Sequence, residues 1–392
     1  MEEALILSGV RTPIGAFMGA LSSLTAPQLG AIAIREAVKQ AGVAPESVDE
    51  VIMGCVLTGG QGQAQARQAA IYGGLPTSVP CMTINNVCGS GMKAVMLAAQ
   101  AIKLGDSKIV VAGGMESMSN APYALDKART GYRMGNGTLI DTMIHDGLWD
   151  PYNNVHMGNC GDCTAAEFNI SREELDAYAT ESYKRAMAAQ QSCRLSSEIV
   201  PVEIPRRKGD PIVVSQDEEP AKGDPSKFAA LKPAFGKEGV TTAANASSFD
   251  DGAAALVLAS RSEVETRKFK PLGRVAGYST HAQDPQWFTT APAFAVEKLL
   301  KQHNLQVADI DLFEVNEAFS VVSLVVAQKL RIPAEKMNVN GGAVALGHPI
   351  GMTGARLILT ALHELRRRGG KYAVATPCIG GGEATAVLIE AL

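Results

Sequence analysis

Aromatic side chains are scarce in this 392-residue chain, at 5%, and charged ones are few, at 19%, while hydrophobic residues reach 46%. A chain so poor in charge buries a large interior, which excludes a disordered or fibrous polymer. Positive charge is not in excess either. Thirty-six Lys and Arg face 40 Asp and Glu, for a net charge of −4, so no basic field favours nucleic acid or an anionic membrane. A phosphate-bearing ligand needs only a local basic patch. No apolar run has the length of a membrane span. The start, Met1-Glu2-Glu3-Ala4, is acidic, runs straight into Leu5-Ile6-Leu7, and reads as neither signal nor transit peptide. Seven cysteines, odd in number and irregularly spaced, form no disulfide framework, so a reducing, cytoplasmic location is expected.

Glycine is what the chain has in plenty, with 39 residues, as expected where helices pack closely on strands and backbone approaches a ligand. The first unit reads strand, helix, strand. Leu5-Ile6-Leu7 is followed by a helix that Thr25 caps, that carries Leu29, Ala33, Ala37 and Ala41, and that Gly42 stops. Val51-Ile52-Met53 is a second strand. A helix beginning near Gly89 leads to the strand Ile109–Ala112 and a turn at Gly113-Gly114. The same grammar returns roughly 260 residues later. Val307 to Glu314 parallels Val43 to Val51, and a helix after Gly351 leads to Tyr372-Ala373-Val374-Ala375. An internal duplication of an α/β unit follows, with mainly parallel sheets covered by helices. Between the halves, residues 119–248 are rich in proline and carry the basic run Arg206-Arg207-Lys208 with Lys222, Lys227 and Lys232 beyond. One helix interrupts this stretch, with Ser171 as cap and Glu174 at the capping-box position. Such an insertion is expected to be a lid or binding segment.

Three glycine-rich segments concentrate chemistry. In Asn85-Asn86-Val87-Cys88-Gly89-Ser90-Gly91-Met92, a cysteine precedes a helix, where the helix dipole and free N–H groups favour a thiolate. Such a thiol is either a nucleophile or an inert buried residue, and the segment alone leaves both open. In Asn340 to Gly351, His348 sits between Gly347 and Pro349 before a helix, a context that leaves a catalytic role and a structural one both open. In Pro377-Cys378-Ile379-Gly380-Gly381-Gly382, a second cysteine ends a strand, and the glycine N–H groups suit an anion. Two cysteines and a histidine in strand-end turns suit a reaction with a nucleophile and a separate base. Asn316-Glu317-Ala318-Phe319 follows another strand of the duplicated half and is expected to reach the same cleft. The pair Cys160 and Cys163 is half of a zinc-type motif with no second pair, and is read as two incidental thiols.

With these segments in place the sequence resembles the thiolase family from end to end. Val10 to Gly15, Val87 to Gly91, Ala112 to Glu116, Asn316 to Phe319, Asn338 to Gly351 and Cys378 to Gly382 all carry the likeness. The resemblance implies a fold of two duplicated halves in five layers (αβαβα). The N-terminal half would take residues 1–118 and 249–270, the C-terminal half 271–392, and a loop domain 119–248. It implies Cys88 as the acylated nucleophile, His348 as the group that activates it and helps hold the thioester oxygen, and Asn316 as the holder of a water there. Cys378 becomes the acid/base at the α-carbon, and the N–H groups of Cys88 and Gly380 a second oxyanion site. His156, Met157, Phe235, Ala243, Ser247, Ala318 and Phe319 would line the pantetheine and acyl pocket.

The implied activity is reversible condensation of two acetyl-CoA to acetoacetyl-CoA and CoA through an acyl-cysteine. The alternative is a degradative 3-ketoacyl-CoA thiolase of broader chain length. No cofactor or metal is expected beyond the coenzyme A thioesters, no nucleic acid or membrane partner, and a homotetramer is implied. Three places depart from the family pattern. Ala64-Gln65 stands where many relatives have Asn-Pro, Glu383-Ala384 where Gln-Gly is commoner, and Glu218 to Lys222 lacks an arginine that some relatives use near adenine.

Overall fold

The computed structural model describes residues 2–392. The first half begins with β1 (Ala4–Arg11) and α1 (Ala26–Ala41), then β2 (Glu50–Gly54), α2 (Gln65–Tyr72), β3 (Cys81–Ile84), α3 (Ser90–Leu104) and β4 (Ile109–Ser117). Thr25 is the N-cap of α1 with a capping box through Gln28, and Gly42 closes the helix in the left-handed conformation at φ 65°. After the inserted segment come β5 (Asp250–Ser260), which completes the first half, and β6 (Gly273–Ala282), which opens the second.

The inserted segment contributes no strand to the large sheet. It holds three small two-stranded ribbons, α4 (Met157–Glu167) and α5 (Arg172–Gln191). Ser171 and Glu174 form the capping box of α5 as expected. The expectation of one helix in this segment is corrected, because α4 and the short turn Thr142–Gly147 are helical too. The start of α4 is capped by the His156 ring, whose Nδ1 accepts from Gly158 N at 3.1 Å, so the sequence lacks the usual Ser, Thr or Asp signal there.

The second half runs α6 (Ala291–Gln302), β7 (Leu312–Val315), α7 (Ser320–Leu330), α8 (Ile350–Arg368), β8 (Tyr372–Thr376), β9 (Cys378–Ile379) and β10 (Glu383–Ala391). One eleven-stranded sheet has the order β7-β8-β10-β6-β1-β5-β4-β2-β3, with β9 paired on β10 and the two-residue strand Gly15–Ala16 paired on β5. Reading outward from the central β1·β6 contact, each half repeats the same pairings: antiparallel, antiparallel, then parallel. The sheet is therefore mixed, which corrects the mainly parallel arrangement expected. In the second half, β8 to β10 is a tight reversal through β9, and such a connection needs no crossover helix.

The duplication extends to single hydrogen bonds. Asp49 Oδ2 accepts from the N–H groups of Lys108 and Ile109, both at 2.8 Å. Asp311 Oδ2 accepts from Lys371 and Tyr372 at 2.7 and 3.0 Å. Each half also has a bulge, between Ile6 and Ser8 in β1 and between Val275 and Gly277 in β6. Helices α3 and α8 pack on each other between the two halves, α1 and α2 cover the first half, and α6 and α7 the second. Five layers result. From Ile350 to Leu362 every residue of α8 is buried, as a helix enclosed between the two halves of the sheet requires.

Gly113 and Gly114 are not the turn their sequence suggests. The strand runs through them to Ser117. A Cβ at Gly113 would stand 2.0 Å from Ala254 O, and one at Gly114 1.9 Å from Gly351 O. These glycines let β5 and the start of α8 come into backbone contact with β4. Arg11 ties β1 to the inserted segment: fully buried, its Nε donates to Glu198 at 2.6 Å and its Nη atoms to Asp217 at 2.6 and 2.9 Å.

Candidate active site

The strand ends of both halves converge on one cavity of about 460 Å³. Its floor carries Cys88, at the entrance to α3. Val87 is held at φ 45°, an unfavourable conformation for a β-branched residue. Three contacts impose it: Val87 N donates to Asn85 Oδ1 at 2.9 Å, Ser90 Oγ donates to Val87 O at 2.7 Å, and Asn86 N donates to Ser90 Oγ at 2.8 Å. Gly89 leaves space for Ile379, whose Cδ1 would lie 2.3 Å from an added Cβ. The loops carrying the two cysteines are thus packed against each other.

Cys88 is partly exposed to the cavity, while Cys378 is fully buried. Burial pushes the Cys88 thiol up to about 12, opposed by the N–H groups of Gly380 and of Cys88 itself. Cys378 is raised well above the ordinary thiol value by burial and by the neighbouring Cys88, opposed by its own N–H and by that of Ala318. The helix dipole therefore does not leave a resting thiolate at Cys88, as the sequence suggested; loss of hydration outweighs the N–H groups.

His348 projects from the turn before α8, and burial lowers its pKa to about 3. Thr353 Oγ1 donates to Pro349 O at 2.9 Å, so it accepts from His348 Nδ1 at 2.7 Å. That assigns the proton to Nδ1 and leaves Nε2 as the acceptor. Asn316 Nδ2 donates to this Nε2 at 3.3 Å, and Asn316 Oδ1 is buried without a protein partner. Such an oxygen calls for a donor such as water. Asp250 Oδ2 accepts from His348 N at 2.8 Å and from Ser248 Oγ at 2.9 Å. Asn338 pairs with both backbone groups of Val315 at 2.8 Å, which fixes the turn that presents Asn316.

The wall is apolar. His156 stacks on Phe235 with ring centroids 4.5 Å apart, and Phe235 meets Phe319 edge-on at 6.2 Å. Residues Ala243 to Ser248 run beside Ala318 and Phe319, with Ser247 N donating to Ala318 O at 2.9 Å. Of the twelve residues expected at the site, ten line the cavity; Asn316 and Cys378 lie directly behind it, against His348 and Cys88. Sequence reasoning missed Phe17, Phe249, Phe288, Asp250 and Thr353. Only the last had a signal, a hydroxyl in the first turn of a helix that begins beside a histidine.

Residues 4–262 match the description "Thiolase, N-terminal domain" and residues 269–391 "Thiolase, C-terminal domain". The chain belongs to the thiolase family. This thiolase is 49% identical over 391 residues to the acetyl-CoA acetyltransferase of Cupriavidus necator, with 100% of each chain covered. It is 49% identical to the mitochondrial acetyl-CoA acetyltransferase of Bos taurus, over 100% of this chain and 92% of the other. The crystal structure of the Acat5 thiolase from Ascaris suum in complex with coenzyme A superposes with a TM-score of 0.95 at 44% identity, covering 100% of both chains. That of the Bacillus anthracis acetyl-CoA acetyltransferase gives 0.98 at 43% identity, covering 100% of this chain and 99% of the other.

In the thiolase the Cys160 and Cys163 pair is split, with Cys160 buried and Cys163 exposed. Among the described residues no three His, Cys, Asp or Glu side chains gather as a metal site would need, and no helix is long and apolar enough to cross a membrane.

Proposed function

We propose that the protein is an acetyl-CoA C-acetyltransferase that interconverts two acetyl-CoA with acetoacetyl-CoA and CoA. The observation that carries this is the pair of sulfurs, Cys88 at the cavity floor and Cys378 behind it, beside a histidine whose unprotonated Nε2 faces Asn316. In the first half-reaction Cys88 attacks the thioester carbonyl as its proton passes to His348 Nε2. Arrival of the proton breaks the hydrogen bond from Asn316 Nδ2, and the resulting Nε2–H, with a water on Asn316 Oδ1, stabilises the developing oxyanion. The C–S bond to CoA breaks, and Cys378 gives its proton to the departing thiolate.

In the second half-reaction the Cys378 thiolate takes a proton from the methyl group of another acetyl-CoA. The carbanion attacks acyl-Cys88, whose oxygen is held by the N–H groups of Cys88 and Gly380. Acetoacetyl-CoA forms, Cys88 leaves as thiolate, and the proton on His348 returns to it. The thioester itself stabilises the carbanion, so this scheme requires no metal or redox cofactor.

The apolar wall from His156 to Phe319 suits the pantetheine arm. Seven unpaired thiols support a reducing, cytoplasmic setting. The exposed apolar ribbon that includes Tyr123, Leu125 and Leu139 supports a homotetramer. Steady-state thiolysis of acetoacetyl-CoA tests the scheme. It predicts acetyl-CoA as product and parallel double-reciprocal lines when CoA and acetoacetyl-CoA are varied. Intersecting lines would remove the covalent intermediate.

A further inference from the structure

The second oxyanion site of the reaction above takes one N–H from each half of the molecule. That of Cys88 comes from the loop between β3 and α3, and that of Gly380 from the turn between β9 and β10. Two donors on separate loops serve one oxygen only if the spacing of the loops is fixed. The Gly380 turn is anchored at its base. Ile379 pairs with Glu383 across it, Glu383 also pairs with Ala282 of β6, and Gln283 N donates to Gly382 O at 2.9 Å.

The Cys88 loop meets this turn through both packing and a hydrogen bond. Ile379 fills the space that Gly89 leaves, and Val87 Cγ1 lies 3.5 Å from where a Cβ on Gly380 would stand. Asn86 Nδ2 donates to Glu383 Oε2 at 3.2 Å. Packing sets a closest approach, whereas the hydrogen bond also fixes direction. The backbone of Asn86 is itself held by Ser90 Oγ, so this tie acts beside the strained Val87 and close to Cys88. Asn86 is half-buried and Glu383 exposed, and both line a second cavity, of about 450 Å³, with Lys93, Thr280 and His281. Glu383 is also a place where the sequence departs from the family pattern, and the reaction steps above give it no part.

We propose that Asn86 and Glu383 are positioning residues: their hydrogen bond sets the spacing of the Cys88 and Gly380 N–H groups, and so serves the carbon–carbon step more than acyl exchange with CoA. The proposal rests on the thiolase reaction above, in which these two N–H groups hold the oxygen of acyl-Cys88 while the carbon–carbon bond forms or breaks. The thioester steps place their oxyanion on His348 and the Asn316 water instead. That site stands on the turn before α8 and the end of β7, so slack between the Asn86 loop and the Gly380 turn reaches it less. What the tie needs of Glu383 is an acceptor oxygen. Lys93 and His281 share the second cavity and would feel its charge. Glutamine separates the two roles, since it keeps the oxygen and drops the charge.

The test is thiolysis of acetoacetyl-CoA by the wild type, Asn86→Ala, Glu383→Ala, Glu383→Gln and the double alanine variant. In a ping-pong reaction kcat/KM for acetoacetyl-CoA reports the carbon–carbon half and kcat/KM for CoA the thioester half. Neither side chain is fully buried, so the variants should fold. Each single alanine variant should lower the first value about three- to tenfold, the range of one lost hydrogen bond, and the second by less than about twofold. The double variant should lose no more than either single one, because both remove the same bond. Glu383→Gln should stay within about twofold of wild type in both values. Equal falls in both values would make the contact merely structural, and no fall in either would make it idle. Losses that multiply in the double variant, or a glutamine variant as impaired as the alanine one, would take the role away from this bond. Each of these overturns the proposal while parallel double-reciprocal lines leave the thiolase reaction standing. Intersecting lines in the wild type would overturn the reaction itself.

Discussion

Cys88, Cys378 and His348 share one electrostatic circumstance: burial favours the neutral form of each, raising both thiols and lowering the imidazole to about 3. The proposed nucleophile is thus generated by proton transfer during reaction rather than stored as an ion. The three were legible in the sequence because each sits in a glycine-rich turn at a strand end, a context that packing alone does not require. Phe288 and Asp250 were not legible, since each matters only through a neighbour far along the chain, Phe319 and His348 respectively. The division of labour between the sulfurs has its own test. Cys378→Ala should still be acetylated at Cys88 but should exchange the methyl protons of acetyl-CoA with deuterated water about 10²–10⁴-fold more slowly. Exchange at the wild-type rate would take the acid/base role away from Cys378.

At the scale of elements, capping chemistry was readable and close approach was not. Thr25 and Gly42 mark α1, and Ser171 with Glu174 marks α5, because these residues act on backbone within a few positions of themselves. Gly113-Gly114 looked like a turn because a glycine required by a neighbouring chain is indistinguishable, in sequence, from one required by a bend. Gly114→Ala should therefore do more than fill space. Its methyl group would displace Gly351, in the first turn of α8 and three residues from His348. Overpacking of this kind costs about 1–3 kcal/mol, so a lower melting temperature with reduced kcat is expected. Unchanged melting and kcat would show that the contact is slack.

Arg11 belongs to the same scale, joining β1 to the inserted segment that carries the cavity's outer wall. Arg11→Met leaves Glu198 and Asp217 buried without their cation. A loss of about 3–5 kcal/mol in denaturant unfolding is expected. A loss below about 1 kcal/mol would mean that water reaches the carboxylates.

Across the whole molecule, the duplication was visible in sequence as a recurring strand–helix grammar, and the structure finds it again in the paired Asp49 and Asp311 bonds. Strand direction was not visible, because an α/β alternation does not say whether a returning strand enters parallel or antiparallel. The two halves are held together at Glu116. It stands in β4 of the first half and accepts from Val56 and Leu57 at 3.0 and 3.1 Å and from Gly351 of α8 at 2.9 Å. Burial raises its carboxyl to about 7. A raised carboxyl contributes stability that is full below its unfolded value and is lost as pH climbs through the folded one. The unfolding free energy of the wild type relative to Glu116→Gln should therefore fall by roughly 3 kcal/mol between about pH 4.5 and 7, at about 1.4 kcal/mol per unit. A difference independent of pH would mean that Glu116 is ionised throughout.

The central claim, that one cavity shared by two halves transfers an acyl group through Cys88, is tested most directly by peptide mass spectrometry after brief mixing with acetyl-CoA. Wild type and Cys378→Ala should both carry an acetyl group on the peptide containing Cys88, and folded Cys88→Ala should carry none on any cysteine. An acetyl group on another residue of the wild type, or an undiminished adduct in Cys88→Ala, would contradict the account.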